Sequence, residues 1–441
     1  MNRDDDYINS LNKLITEKSA EIAGNLNELA MVHKNRKEFN LVIEKLEKAI
    51  LFDPANPNFY INLGFAYINS TEYEKAIEAY SRVIELNPDD AVFYNNLGVC
   101  YYKNYQFDLA IDNYNKAISL RPDFVEAYSN LSHLYIMNGN FEEGWKYYEW
   151  RFKQKELQHL NIPKFQTPVW DSNNSIKNKT IYVYWEQGYG DTLMFCRYLP
   201  VLHAMGAKVL FKPQPALENL LRENDLKAEI ISPSVSDETI QFDEYASLMS
   251  LPYLLKTTLE NIPYPEGYLK ADPEKVKIYK EKYFNNNLFK VGIFWQGNPK
   301  GMKERATDLK NFYKLSEIEN VELYSLQKGY GIEQLKELPD SIKITDLGSV
   351  FNDYSDTAAA ISNLDLVITI DTSVAHLAAA MNKPTWILLP YFPEWRWIRD
   401  REDTPWYKSI KLFKQKERNN WEEVMDRVCK ELANKQLYNI K

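Results

Sequence analysis

Three short stretches of this chain place polar, chemistry-bearing residues where an apolar run gives way to a helix. The first is Gly188-Tyr189-Gly190-Asp191, inside "VYWEQGYGDTLMFCRYLP". Two glycines leave the backbone open on either side of a tyrosine, and an aspartate follows as a helix begins. This is either a tight turn with a helix cap or a place where a phosphorylated ligand or a reacting hydroxyl sits. The second is "GIFWQGNPKGMKERATDL". Its Gln296-Gly297-Asn298 turn closes an apolar run and leads into Lys300, Lys303 and Arg305. Beyond a strand's carboxyl end, such a cluster is suited to clamp a diphosphate, since arginine offers a bidentate fork and lysine a mobile charge. The third is "LVITIDTSVAHLAAAMNKPTWILLP". A β-branched run ends at Asp371, and Thr372 and Ser373 open a helix that carries His376. Free N–H groups at a helix start favour an anion. The competing reading makes Asp371 or Thr372 an N-cap and His376 a core residue.

Alternating strand and helix patterns must position these turns. "IYVYW", "KVLFK" and "AEIIS" read as strands with helices at 191–205 and "ALENLLREN" between them. After a break near "YFNNNLFK" a second alternation runs through "VGIFW", "VELYSLQ", "TAAAISN", "LDLVITI", "TSVAHLAAAM" and "TWILLP". Such alternation predicts parallel sheets with crossover helices, and ligands bind outside the carboxyl ends of their strands.

The first third has a different period. Pro54, Pro88 and Pro122 recur every 34 residues, each after an apolar helical stretch. With Leu63, Gly64, Tyr67, Ala76 and Tyr80, and then Leu97, Gly98, Tyr101, Ala110, Tyr114 and Ala117, they match the tetratricopeptide pattern of paired helices. Small residues let the paired helices approach, and tyrosines fill the space between them. About four repeats cover 23–156, and their stacking predicts an α-solenoid with a concave face. Asn62, Asn96 and Asn130 also recur at 34 residues. They either line a groove for an extended peptide or bond one repeat to the next. The array is expected to bind a partner; the alternative is that it mediates self-association into a homo-oligomer or supports the second half of the chain.

Composition narrows the classes. A net charge of −9 argues against a dedicated nucleic-acid binder. The acidic start "MNRDDDYINS" is not a secretory signal, and no apolar run reaches the ~20 residues of a membrane span. Cys100, Cys196 and Cys429 are scattered, which suits free thiols in a cytoplasmic protein. No metal-ligating spacing appears, and no cofactor is expected.

Taken together, these stretches resemble bacterial tetratricopeptide-repeat proteins fused to a heptosyltransferase-like glycosyltransferase of the GT-B fold. The resemblance rests on the Gly188–Asp191 turn, on "YSLQKG" with the preceding "WQGNP", and on "DTSVAHLAAAMNKPTWILLPYFPEWRW". It implies an α plus α/β chain: repeats over 1–156, a first Rossmann-like lobe on the acceptor side over 157–285, and a second, nucleotide-sugar lobe over 286–441. It also implies an inverting, metal-independent transferase in which Asp191 is the general base. Gln296, Gly297, Asn298, Lys303, Arg305, Asp371, Thr372, Ser373 and His376 would bind the donor, with Ser325, Leu326 and Gln327 near its base. Gly188, Tyr189, Gly190, Trp395 and Arg396 would face the cleft and acceptor, although "YFPEWRW" also reads as a packed turn. The sequence departs from lipopolysaccharide heptosyltransferases at Ser373, where those enzymes usually have glycine. The leading expectation is a nucleotide-sugar donor and a protein acceptor brought by the repeats. Transfer to lipopolysaccharide or another glycan, and a non-catalytic adaptor, are the alternatives.

Overall fold

A computed structural model describes residues 3–154, 163, 165–298 and 303–439, with the side chains of 3–6, 303 and 435–439 outside the description. The chain divides into two compact units, 1–134 with 150–154, and 135–149 with 155–441.

The first unit is built of helical hairpins: α1 (Arg3–Asn35) with α2 (Phe39–Phe52), α3 (Pro57–Asn69) with α4 (Tyr73–Leu86), and α5 (Ala91–Lys103) with α6 (Phe107–Leu120). Helix α7 (Val125–Met137) and α8 (Phe141–Tyr148) form the fourth pair, which straddles the division. Helix α1 starts well before the expected first repeat at 23, because neither glycine nor proline interrupts 3–22. The expected close approach is present. A Cβ on Gly64 would lie 2.6 Å from the Tyr80 ring, and one on Gly98 would lie 2.7 Å from the Tyr114 ring. The bend between paired helices recurs in a left-handed conformation at Lys37, Thr71, Tyr105 and Gly139, again 34 residues apart. Thr71, at φ 63°, is the β-branched member and is exposed. Left-handed backbone costs such a residue about 1–2 kcal/mol, partly offset in glycine by its freer unfolded chain. Thr71→Gly should therefore raise stability by about 1 kcal/mol in denaturant titration. An unchanged or lower midpoint would show that the hydroxyl compensates the strain.

The asparagine ladder bonds repeats together. Asn62 Nδ2 donates to Asn27 Oδ1 at 3.3 Å, and Asn130 Nδ2 donates to Asn95 Oδ1 at 3.0 Å. The residue 35 before Asn96 is Ile61, so the ladder is interrupted there. For Asn62 and Asn130 the structure thus favours inter-repeat bonding over a peptide groove.

The second unit contains two parallel sheets. The first comprises β1 (Thr180–Tyr184), β2 (Lys208–Lys212), β3 (Glu229–Ile230) and β4 (Glu244–Ser247), in the order β3-β2-β1-β4. The second comprises β5 (Phe289–Phe294), β6 (Val321–Ser325), β7 (Ile344–Asp346), β8 (Leu366–Ile370), β9 (Thr385–Leu389) and β10 (Ile410–Lys414). Its order, β10-β9-β8-β5-β6-β7, is that of a dinucleotide-binding sheet, with the strand order reversing between β5 and β8. The alternation in the sequence did not mark β4, β10 or the closing helix Trp421–Asn439. The helix expected over 191–205 is interrupted after α9 (Tyr189–Phe195) by a tight turn and resumes at Leu199–Ala204. Pro200 lacks the N–H needed to continue it. The segment before β1 joins the first sheet, where Trp170 N donates to Tyr245 O at 2.9 Å. Its polar, two-proline stretch over about 157–178 reads from sequence as a surface linker, of which 157–162 and 164 lie outside the described residues.

The expected boundary at 285/286 separates the sheets but not two units. Fully buried Arg197 explains the cohesion: it donates to Met194 O at 2.8 Å and to Trp406 O at 2.7 Å, and lies against the rings of Tyr268 and Tyr407. The expected boundary at 156 passes beyond residues 135–149, which belong with the sheets. Trp145 packs edge-on against Phe195, Trp395 and Trp406, and Arg399 N donates to Met137 O at 3.2 Å. Among the described residues, no helix is long and apolar enough to cross a membrane.

Candidate active site

The carboxyl ends of β1, β5 and β8 open onto a cavity of about 830 Å³. It is lined by Gly188–Asp191 from the first lobe and by Gln296–Asn298, Arg305 and Asp371–Ser373 from the second, with His376, Glu394 and Arg396 deeper in the wall. The three turns singled out by sequence therefore meet in one place. Lys300 lies outside the described residues, as does the side chain of Lys303.

Asp191 is the third residue of α9, and its two oxygens have different partners. Oδ2 accepts the Gly188 N–H at 3.0 Å, which caps the helix. Oδ1 accepts a hydrogen bond from Arg396 Nη2. Gly190 is explained by the protein itself, because a Cβ there would come within 3.1 Å of His376 and 3.5 Å of Ser373. The first turn of α9 thus packs directly on the helix Ser373–Ala380. At Gly188 the nearest atom to a Cβ would be Asp191 Oδ2 at 3.5 Å, so that position leaves the cavity wall open.

Ion pairs link both arginines. Arg396 also pairs with Glu394, and Glu394 pairs in turn with Arg305. Arg305 Nη1 lies 3.5 Å from Asp371 Oδ2. Arg305 Nε and Asp371 Oδ2 are nevertheless buried without a hydrogen-bond partner. Burial lowers the Arg305 pKa; Asp371 opposes this and Arg396 adds to it. Burial acts on Arg396 in the same sense, but the carboxylates of Asp191 and Asp371 outweigh it and raise its pKa.

The helix Ser373–Ala380 has Thr372 at its cap position, with no side-chain capping bond. The Thr372 hydroxyl instead lies 3.3 Å from that of Thr369, and Ser373 Oγ lies 2.6 Å from the Tyr354 hydroxyl. His376 is buried, stacks on Trp397, and its Nδ1 is 3.2 Å from the Tyr407 hydroxyl. Burial first, and Arg396 second, push its pKa down to about 3, so it is neutral near pH 7. Since the unfolded chain protonates this imidazole near 6.5, its contribution to stability is complete above that pH and is lost as pH falls towards about 3. Stability should fall with acid more steeply in the wild type than in His376→Gln, by up to about 1.4 kcal/mol per pH unit. Parallel curves from urea unfolding across pH 7 to 4 would contradict this.

Four expected site residues lie elsewhere. Ser325, Leu326 and Gln327 are buried behind the cavity. Gln327 Oε1 accepts from Trp295 N and Gln296 N, both at 3.1 Å, and its Nε2 donates to Gln296 O at 2.6 Å. It shapes the Gln296–Asn298 turn from the rear, because β6 lies on the far side of β5 from β8. Trp395 is a packing residue, 5.6 Å from the Trp145 ring and 5.7 Å from Tyr148. Sequence reasoning missed Glu394, Tyr354, Lys328 and Tyr330, all on the cavity wall. Only Glu394 carried a signal, as an acid within the aromatic turn "YFPEWRW".

The cavity offers a carboxylate that can accept a proton and two guanidiniums that can hold anionic oxygens. Tetratricopeptide repeat models match residues 45–78, 72–104, 91–124 and 113–146. The model for glycosyltransferase family 9 (heptosyltransferase) matches 315–430, which includes Asp371, His376, Glu394 and Arg396. This chain carries tetratricopeptide repeats followed by a glycosyltransferase family 9 domain. Protein FlbA of Caulobacter vibrioides is 27% identical over 318 residues, 66% of this chain and 52% of that one. The chain thus spans about half the length of that curated relative. A glycosyl transferase of family 9 from Veillonella parvula DSM 2008 aligns with TM-score 0.44 and 10% identity, over 55% of this chain and 88% of its own. A crystal structure of MamA aligns with TM-score 0.30 and 29% identity, over 33% of this chain and 85% of its own.

Proposed function

We propose that this protein is an inverting glycosyltransferase that moves a sugar from a nucleotide-diphosphate donor to a hydroxyl or amide of a protein bound by its repeats. The observation that carries the reading is the convergence of Asp191, Arg305 and Arg396 on one cavity, at the carboxyl ends of strands from both lobes. In this reading the acceptor's oxygen or nitrogen attacks the anomeric carbon. The carbon–oxygen bond to the diphosphate breaks, and its electron pair leaves on the phosphate oxygen. Asp191 takes the acceptor's proton, and the arginines with the start of the Ser373–Ala380 helix stabilise the departing charge. Gly188 and Gly297, where a Cβ would meet nothing nearer than 3.5 Å, leave room in the cavity wall for the sugar.

The arrangement supports turnover without a divalent metal, since each of the three cavity carboxylates lies against an arginine. Cytoplasmic residence fits three free cysteines, two of them buried. A panel of nucleotide-sugars tested by thermal unfolding should reveal the donor. At 100 times its Kd it adds about 2.7 kcal/mol of apparent stability. That stabilisation, and donor turnover, should persist in EDTA. If no nucleotide-sugar stabilises the protein, the reading fails. Activity lost in EDTA and restored by magnesium or manganese would overturn metal independence.

A further inference from the structure

Glu394 gives the cavity a property that donor binding alone does not require. Its carboxylate pairs with both Arg305 and Arg396, while Asp191 takes the other arm of Arg396 and Asp371 lies 3.5 Å from Arg305. All five side chains are largely buried. Among the described side chains, three carboxylates therefore face two guanidiniums, a surplus of one negative charge where the proposed donor's diphosphate enters. The remaining described cation on the wall, Lys328, is turned to the Phe351 carbonyl. Arg305 Nε and Asp371 Oδ2 are buried without a hydrogen bond, so the network's own groups leave donor and acceptor capacity unused.

We propose that Glu394 and Asp191 act as internal anions that occupy the donor's diphosphate site at rest, so that donor binding displaces them and frees Asp191. The inference rests on the glycosyltransferase reading above. Its consequence is an order of events. While Arg396 holds Asp191 Oδ1 and the Gly188 N–H holds Oδ2, the carboxylate is poorly placed to take a proton. A diphosphate that draws Arg396 to itself releases one oxygen towards the acceptor. The base is thereby activated only when a donor is in place, and Glu394 is a positioning residue that sets the threshold.

The competition has an unusual signature, because removing an internal anion should tighten binding of an external one. Inorganic pyrophosphate titrated into the full-length protein by calorimetry is the probe. Glu394→Gln and Asp191→Asn, both close in shape to the native residues, should each bind it at least fivefold more tightly than the wild type. In turnover with the donor, Asp191→Asn should lower KM while kcat falls, a split that simple loss of structure does not give. Unchanged or weaker pyrophosphate binding in either variant overturns the inference and leaves the glycosyltransferase reading standing. If pyrophosphate binds neither wild type nor variants, the diphosphate clamp falls and the inference with it. Asp191→Asn keeps an oxygen to cap α9, so it carries the test alone if Glu394→Gln does not fold.

Discussion

Asp191→Asn is expected to reduce sugar transfer by about 10²–10⁴, the usual worth of a positioned general base. The substitution isolates chemistry from architecture. An amide oxygen can still accept the Gly188 N–H that Asp191 Oδ2 now accepts at 3.0 Å, so the start of α9 should hold. What is lost is the negative charge opposite Arg396 and the capacity to take a proton. The folded protein should therefore unfold at a similar temperature, bind donor, and fail at transfer. A variant with wild-type kcat would reduce Asp191 to a helix cap with an ion pair.

Arg305→Ala is expected to weaken donor binding by tenfold or more, about 1.4 kcal/mol. Arg305 lies between Asp371 and Glu394, with its Nε unpartnered in the cavity wall. It enters from the loop after β5, on the opposite side of the strand-order reversal from the Ser373–Ala380 helix. Loss of its fork removes the site's only described cation contributed from that loop. Arg305→Lys retains charge but not the planar pair of donors, so its donor Kd should lie between those of alanine and wild type. Equal Kd values for wild type and Arg305→Ala, by calorimetry, would remove Arg305 from the site.

Much of this arrangement was legible because its signals are local. The 34-residue return of Pro54, Pro88 and Pro122 marks hairpins whatever surrounds them, and the steric role of Gly64 follows from the Tyr80 ring sixteen residues on. Strand-end turns such as Gly188–Asp191 and Asp371–Ser373 declare themselves by an apolar run followed by glycine or hydroxyl residues. Side-chain direction is harder to read. Gln327 ends a strand as Gln296 does, yet β6 is one strand removed from the reversal point and its amide turns inward. Partnerships between distant segments were less legible. Bonding of Asn62 to a neighbouring repeat was one of two open readings, but its partner Asn27 was not marked, and Glu394 meets Arg305 only once two loops converge. The placement of residues 135–149 was hidden for the same reason. Their tetratricopeptide pattern is real, but Trp145 and Tyr148 find their aromatic partners at Phe195, Trp395 and Trp406.

The proposed transfer is a single displacement at the anomeric carbon with Asp191 as base. Proton NMR of the sugar first formed by slow donor hydrolysis tests it most directly, because water serves as acceptor and no protein partner is needed. The first-formed anomer should be opposite in configuration to the donor, produced by the wild type and lost in Asp191→Asn. A first-formed anomer that retains the donor's configuration would contradict it.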